Sequence, residues 1–204
     1  MLRMFSILNN AGLQKLPVIG ADLLYDQQFI SADQADTLLT EIITQVQWQQ
    51  AELKIYGRNV LTPRLSCWMG DADASYAYSN THFEPLPWIA PVLEIKQRIE
   101  SATGNTFNSV LLNYYRDGQD AMGWHCDDEK ELGMQPCIAS LSLGGVRRFL
   151  LRRKDKSQKS IALELQHGSL LLMHGDTQKN YLHSLPRTAK QISARINLTF
   201  RKIL

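Results

Sequence analysis

Nothing in the 204 residues approaches the roughly 18 consecutive apolar positions of a membrane span. The N-terminus carries Arg3, but Asn9, Asn10 and Gln14 interrupt the apolar core a signal peptide would need. Cysteine is scarce: Cys67, Cys126 and Cys137 are odd in number and lack Cys-x-x-Cys spacing. That argues against a disulfide framework and predicts reduced thiols in a cytoplasmic protein. Net charge is only +2, too little to argue for nucleic-acid binding by itself. Internal repeats, low-complexity tracts and domain-splitting linkers are also lacking. With 44% hydrophobic and 21% charged residues, the composition predicts one globular domain over residues 1–204. Nothing in it demands more than a monomer.

What charge there is gathers in one place. Arg147, Arg148, Arg152, Arg153, Lys154, Lys156 and Lys159 put seven of the 22 basic residues into thirteen positions, opposed only by Asp155. Such a cluster is either a solvated hairpin or a phosphate-facing patch.

Residues 1–30 are mixed in pattern and predict an irregular arm with short extended pieces near 16–19. Ser31 is placed to cap a helix over 32–47, with Gln34 closing a capping box. Leu38, Leu39, Ile42, Ile43 and Val46 recur at helical spacing. Between 50 and 80 the texture changes. Lys54-Ile55-Tyr56-Gly57-Arg58 is a strand signal broken by glycine, and Thr62-Pro63-Arg64 marks a turn or lid. Ser75-Tyr76-Ala77-Tyr78-Ser79 alternates, so both tyrosines share a face, either as core or as a stacking platform for a base. A second helix is predicted over 88–103, with Ile89, Val92, Leu93, Lys96 and Ile99 as its stripe and Gly104 as its stop. Strands follow over 108–115, 137–143, 149–153, 161–165, 169–173 and 192–201. The order predicts an α+β protein with helices packed on one sheet of an antiparallel jelly roll, the core running from 105 to 204.

The last strand separates cleanly by period two. Ile196, Leu198 and Phe200 face one way; Arg195, Asn197, Thr199 and Arg201 face the other. A wet face usually mixes charge signs, whereas this one sets two guanidiniums among hydrogen-bonding side chains, which suits a dianion with a carboxylate at each end. Upstream, His125-Cys126-Asp127 places an imidazole and a carboxylate on one side, with Cys126 turned away. Of the remaining histidines, His183 is the best third ligand. His167 and His174 each precede a glycine at a predicted strand end, where an exposed role is expected. Two histidines and a carboxylate on one octahedral face leave open positions and mark non-haem Fe(II) oxygenases. A 2-oxo acid would chelate such a metal, and its distal carboxylate would need an arginine.

These features resemble the AlkB family of Fe(II)/2-oxoglutarate-dependent dioxygenases from about Ile55 onward. The specific motifs are Asn113-Tyr114-Tyr115-Arg116-Asp117-Gly118, Trp124-His125-Cys126-Asp127-Asp128-Glu129, His183-Ser184-Leu185-Pro186 and the strand from Arg195 to Arg201. The spacing is closest to the duplex-DNA repair dealkylases. The resemblance implies a double-stranded β-helix with a nucleotide-recognition lid over 50–80, using Fe(II), 2-oxoglutarate and O2. His125, Asp127 and His183 would hold iron. Arg195 would take the distal carboxylate of 2-oxoglutarate and Arg201 the C1 end, with Asn113, Tyr115 and Thr199 completing that site. Asp128 and Glu129 would face a cationic methylated base such as 1-methyladenine or 3-methylcytosine. Tyr78 would stack on the flipped base with Tyr76 beside it. Ile55-Tyr56-Gly57 would form the finger that enters the stack, and Arg64 would belong to the lid. After His183, Arg187-Thr188-Ala189-Lys190 is less basic than the loop with which duplex-preferring members grip the opposite strand.

The implied partner is alkylated DNA, single- or double-stranded, with no membrane involved. The implied location is cytoplasmic: the nucleoid if bacterial, the nucleus if eukaryotic. Two alternatives stand beside this reading. One is the same chemistry on methylated RNA or a protein side chain; the other is a jelly-roll binding module without turnover.

Overall fold

Alternation of apolar and polar residues along successive strands builds two sheets that share an interior. The computed structural model describes residues 3–4, 12–55, 57–74, 76–78 and 81–204; the side chains of 3–4, 53, 55, 76–78 and 81–83 lie outside that description. Strands run β1 (Arg3–Met4), β2 (Gln14–Lys15), β3 (Asp22–Asp26), β4 (Glu52–Ile55) and β5 (Arg58–Leu61). Next come β6 (Leu65–Gly70), β7 (Tyr76–Tyr78), β8 (Thr81–Phe83), β9 (Ser109–Tyr115) and β10 (Met122–His125). The chain closes with β11 (Ile138–Gly144), β12 (Arg147–Arg153), β13 (Ile161–Leu165), β14 (Ser169–His174), β15 (Tyr181–Leu185) and β16 (Arg195–Arg201). The major sheet has the order β2-β3-β14-β11-β16-β9-β6, and the minor sheet β1-β13-β12-β15-β10. Hairpins β4-β5 and β7-β8 stand apart from both. All pairings are antiparallel except β1 with β13.

Helices α1 (Ala32–Gln45) and α2 (Ala90–Thr103) cover one face of the major sheet. Ile42, Val92, Ile95 and Ile99 meet Val110, Leu112, Leu141, Ile196, Leu198 and Phe200 there. A second apolar layer fills the space between the sheets, with Leu23, Tyr25, Leu151, Leu163, Leu171 and Met173. The two layers explain the alternation in β14: Leu170 and Leu172 face the helices, Leu171 and Met173 the inter-sheet space.

Several expectations need correction. Ser31 occupies the cap position of α1, but its hydroxyl caps nothing. Gln34, expected to close the box, instead accepts a hydrogen bond from the Arg98 guanidinium on α2 at 3.2 Å, so a helix–helix contact displaces the local one. On α2 the buried stripe is Val92, Ile95 and Ile99, with Pro91 in the first turn. Leu93 is exposed, and Lys96 lies over the Trp88 ring while pairing with Glu100 at 3.1 Å. Gly104 ends the helix as expected, in the left-handed region at φ 69°.

Within the stretch read as an irregular arm, the described residues from 14 to 26 hold two paired strands, β2 and β3. β3 pairs with β14 from Asp22 to Asp26, and Leu23 and Tyr25 are fully buried. Its polar neighbours hid a strand whose apolar residues fill the inter-sheet layer. His167, expected to be exposed, is half-buried: its Nδ1 accepts the Gly144 amide at 2.7 Å, and its Nε2 lies 3.2 Å from Asp36 without hydrogen-bond alignment. The basic cluster divides. Arg147 is buried and donates to the carbonyls of Asp117, Asp120 and Pro186, while Arg152 lies over the Trp124 ring at 4.3 Å.

Candidate metal and co-substrate site

The inward face of β16 carries Arg195, Asn197, Thr199 and Arg201, while Ile196, Leu198 and Phe200 are fully buried against the helices. Flanking strands extend the polar face. Asn197 pairs with Asn113 on β9 and Ser142 on β11; Arg195 pairs with Tyr115, and Thr199 with Ser140. All of these except Ser142 line a cavity of about 480 Å³, mouth included, at the open end of the inter-sheet space. Apolar side chains, among them Leu111, Phe149, Leu165 and Met173, close the rest of its wall.

The minor sheet contributes the opposite wall. β10 and β15 are neighbours with His125 directly across from His183, their rings 4.2 Å apart. Asp127, just past the end of β10, brings its carboxylate in beside them. One ligand atom from each of His125, Asp127 and His183 lies within 4.8 Å of the others. His125 Nδ1 donates to the Gly123 carbonyl at 2.9 Å, which leaves Nε2 as the nitrogen facing the other two ligands. Phe149 stacks on the His183 ring at 5.2 Å.

Burial, then the nearby His125, lower the His183 pKa to about 4, so the ring is neutral and ready to ligate at neutral pH. Asp127 is also buried, but the Arg201 guanidinium holds its carboxyl below the ordinary value despite desolvation. Arg201 donates to Asp127 Oδ1 at 2.8 Å. These shifts set a pH dependence. Below pH 6.5 the unfolded chain protonates His183, whereas the folded chain resists to about pH 4. Stability is therefore lost as pH falls through that window, and Asp127 acts in the same direction further down. Between pH 7 and 5 the metal-free protein should lose about 1–2 kcal/mol, read as a falling thermal midpoint; a flat midpoint would place a charged His183 in the folded state.

Arg195 is the other unusual group. It is 2% exposed, donates to Ser142 Oγ at 2.9 Å and lies over the Tyr115 ring. Burial lowers its pKa to about 10. Among the described residues no carboxylate pairs with it, and its Nε has no partner; Arg201 Nε is likewise unpartnered. A buried guanidinium without a counter-ion is costly and calls for an anion in the cavity. The donor set opposite, two imidazoles and a carboxylate with open positions, suits Fe(II). The residues thus fit both metal and a dianionic ligand.

Other expected site residues fall differently. Asn113 and Tyr115 line the cavity. Arg64 lies behind them, donating through Nε to Asn113 Oδ1 at 2.8 Å, so it braces the cavity from the β6 side. Asp128 turns away into an ion pair with Lys154 at 3.1 Å, and the Cys126 thiol, then Lys154, hold its carboxyl below the usual range. Glu129 is exposed before a 3-10 turn at Lys130–Leu132. Gly57 sits between β4 and β5 at φ 78°. Tyr56, the side chain of Ile55, and the rings of Tyr76 and Tyr78 lie outside the described residues. Sequence reasoning passed over Ser140 and Ser142, whose alternation on β11 puts both hydroxyls in line with Asn197 and Arg195.

A metal position facing a buried cation that awaits a dianion is what a 2-oxo-acid-dependent Fe(II) dioxygenase requires. The sequence profile of the 2OG-Fe(II) oxygenase superfamily matches residues 22–201. A human protein named DNA oxidative demethylase ALKBH2 is 41% identical over 196 residues, covering 91% of this chain and 74% of that one. The Bos taurus ALKBH2 is 41% identical, covering 84% of this chain and 65% of its own length. A Rattus norvegicus alpha-ketoglutarate-dependent dioxygenase, alkB homolog 3, is 40% identical, covering 86% of this chain and 62% of its own length. The chain therefore spans slightly less than two thirds of the bovine and rat relatives. The solved structure of OsALKBH1 aligns with TM-score 0.65 at 18% identity, covering 93% of this chain and 99% of that one, a likeness of fold. The chain belongs to the 2OG-Fe(II) oxygenase superfamily and, within it, to the AlkB family.

Proposed function

We propose that this chain is a DNA oxidative demethylase that removes methyl groups from the Watson–Crick edge of bases such as 1-methyladenine and 3-methylcytosine. The observation that carries the reading is the juxtaposition of His125, Asp127 and His183 with the unpaired guanidinium of Arg195 in one cavity. The chain that holds this cavity is about 41% identical to proteins named DNA oxidative demethylase. Held by the three ligands, Fe(II) supplies activation of O2 coupled to decarboxylation of 2-oxoglutarate. Overall, the N-methyl group, 2-oxoglutarate and O2 become the base N–H, formaldehyde, succinate and CO2.

The protein's share is positioning and exclusion of water. Arg195, oriented by Ser142 and Tyr115, binds the distal carboxylate. Asn113 and Thr199 would complete that pocket, and Arg201, which orients Asp127, would pair with the C1 carboxylate. Leu111, Leu165 and Met173 keep water out, which strengthens each charged contact. Residues 50–80 serve as the nucleotide-recognition lid. An enzyme acting on this base edge must extrude the nucleotide, with an unstacking cost of a few kcal/mol. Ile55-Tyr56-Gly57 serves as the finger that fills the gap. Tyr76 and Tyr78 hold the extruded base, and Glu129 favours its positive charge, Asp128 being engaged by Lys154.

The test is release of formaldehyde and succinate from oligonucleotides carrying 1-methyladenine, with single- and double-stranded DNA beside matched RNA. Turnover on DNA above RNA, lost with a chelator, is expected. Succinate without formaldehyde would assign the same chemistry to another substrate. Tyr56→Ala should reduce turnover on duplex at least ~10-fold, since an unstacking cost of even 1.4 kcal/mol is tenfold, and reduce it little on single strands. Equal loss on both would remove the finger from the account.

A further inference from the structure

We infer that Gln178 is a positioning residue for the metal, acting through the backbone of Asp127; this rests on the metal-site reading above. Gln178 sits on α3 (Thr177–Asn180), the single helical turn between β14 and β15. It is 1% exposed, and its Oε1 accepts the Asp127 amide hydrogen at 3.0 Å. Its Nε2 faces Met173 Sδ at 3.7 Å. A long amide side chain buried in a turn is not required for α3 to form. Its one strong hydrogen bond goes to the backbone of a candidate ligand 51 positions away in sequence.

That bond matters because Asp127 lies beyond the last pairing of β10. The registered pairs of β10 with β15 are Met122 with Leu185 and His125 with His183, with irregular pairing between them. No ladder therefore fixes the Asp127 peptide. Its carboxylate is held at one end by Arg201, at 2.8 Å, and its amide at the other by Gln178. Two anchors on opposite ends of one residue set the direction of the Cα–Cβ bond, and so the direction in which the carboxylate meets His125 and His183.

α3 is itself fastened from outside. The Thr177 hydroxyl accepts the Asp22 amide at 2.9 Å and donates to the His174 carbonyl at 2.6 Å. Asn180 Nδ2 donates to the Gly20 carbonyl at 2.8 Å, and the Tyr181 hydroxyl to the Ile19 carbonyl at 2.7 Å. The segment 19–22 is thus a strap over α3, and the strap, α3 and Gln178 form a continuous support ending at the metal ligand.

Mn(II) affinity of the folded, substrate-free protein, read from the electron paramagnetic resonance of free Mn(II), tests this without turnover. Gln178→Met keeps length and volume but removes the acceptor. It should weaken Mn(II) binding ~10–100-fold, as loss of an outer-shell partner does, with little change in the metal-free thermal midpoint. Gln178→Glu returns an acceptor and should restore affinity to within about threefold of the parent, well above the ~10-fold loss. Parent-like affinity in Gln178→Met, or equal weakening in both variants, overturns the inference. If Gln178→Met does not fold, Thr177→Val, which unlatches α3 from Asp22 and leaves Gln178 in place, decides. Weakened Mn(II) binding supports the support chain, and unchanged binding overturns it. A parent protein that binds no Mn(II) would remove the metal-site reading, and this one with it; loss of DNA turnover with Mn(II) binding intact would touch only the substrate.

Discussion

Alanine at His125 and alanine at Asp127 are each expected to end formaldehyde release, yet to differ sharply in their effect on folding. Both remove a ligand, so each should lose more than the ~10–100-fold that outer-shell changes cost, and neither should be rescued by raising 2-oxoglutarate. His125 is half-buried, and among the described residues its one hydrogen bond is to Gly123 within its own strand, β10. Its loss leaves no buried group stranded, and the thermal midpoint should move little. Asp127 is buried, and its removal leaves the Arg201 guanidinium without its counter-charge. Breaking a buried pair in this way costs about 3 kcal/mol, at the low end of the range because Arg201 keeps some contact with water. Asp127→Asn retains volume and one acceptor for Arg201, so it should recover part of that stability and none of the turnover. Formaldehyde assays beside thermal melts of the three variants check the pattern. Residual activity above a few per cent in either alanine variant would mean the metal is held by other groups.

How much of this could be read from the chain differs by the range of the contact involved. The alternation of β16 was legible because period two is a local property, and it separated the core side from Arg195, Asn197, Thr199 and Arg201 as the structure does. What alternation alone could not tell was that the polar side faces the space between two sheets rather than solvent. His125, Asp127 and His183 were legible as a set because the His-x-Asp spacing fixes two ligands on one side, and the third was then a choice among few histidines. β3, β10 and β15 were missed as strands: each has five residues or fewer, mixed in polarity, and is ordered by its neighbours in the sheets. Two side-chain expectations fail for one cause. The sequence predicts a local capping role for Gln34 and an exposed one for His167. In the structure each instead meets a partner at least 23 positions away, Arg98 and Gly144. Local propensity yields wherever a tertiary partner offers a stronger hydrogen bond or an ion pair.

Arg195→Met should raise the 2-oxoglutarate requirement about 100-fold while making the ligand-free protein more stable. The first effect follows from the geometry of the fork. Arg195 is held by Ser142 and Tyr115 with its Nε unpartnered in the cavity. Bidentate pairing to a carboxylate out of water is worth about 3 kcal/mol, which is about two decades in affinity. The second effect follows from the missing counter-ion. Burial already lowers the Arg195 pKa to about 10, and among the described residues no carboxylate offsets its charge. An apolar side chain of similar length removes that penalty, as replacing other buried charges does. Ligand then stabilises the two proteins differently. In the parent, 2-oxoglutarate with Mn(II) should raise the thermal midpoint in proportion to the logarithm of its concentration over Kd. In Arg195→Met the same additions should raise it little, from a higher start. Arg195→Lys keeps the charge without the fork, and should fall between the two in 2-oxoglutarate requirement while staying as unstable as the parent. If Arg195→Met leaves the requirement unchanged, the distal carboxylate binds elsewhere. If it lowers the ligand-free midpoint, the guanidinium is structural, held by Ser142 and the Tyr115 ring for the sake of the fold.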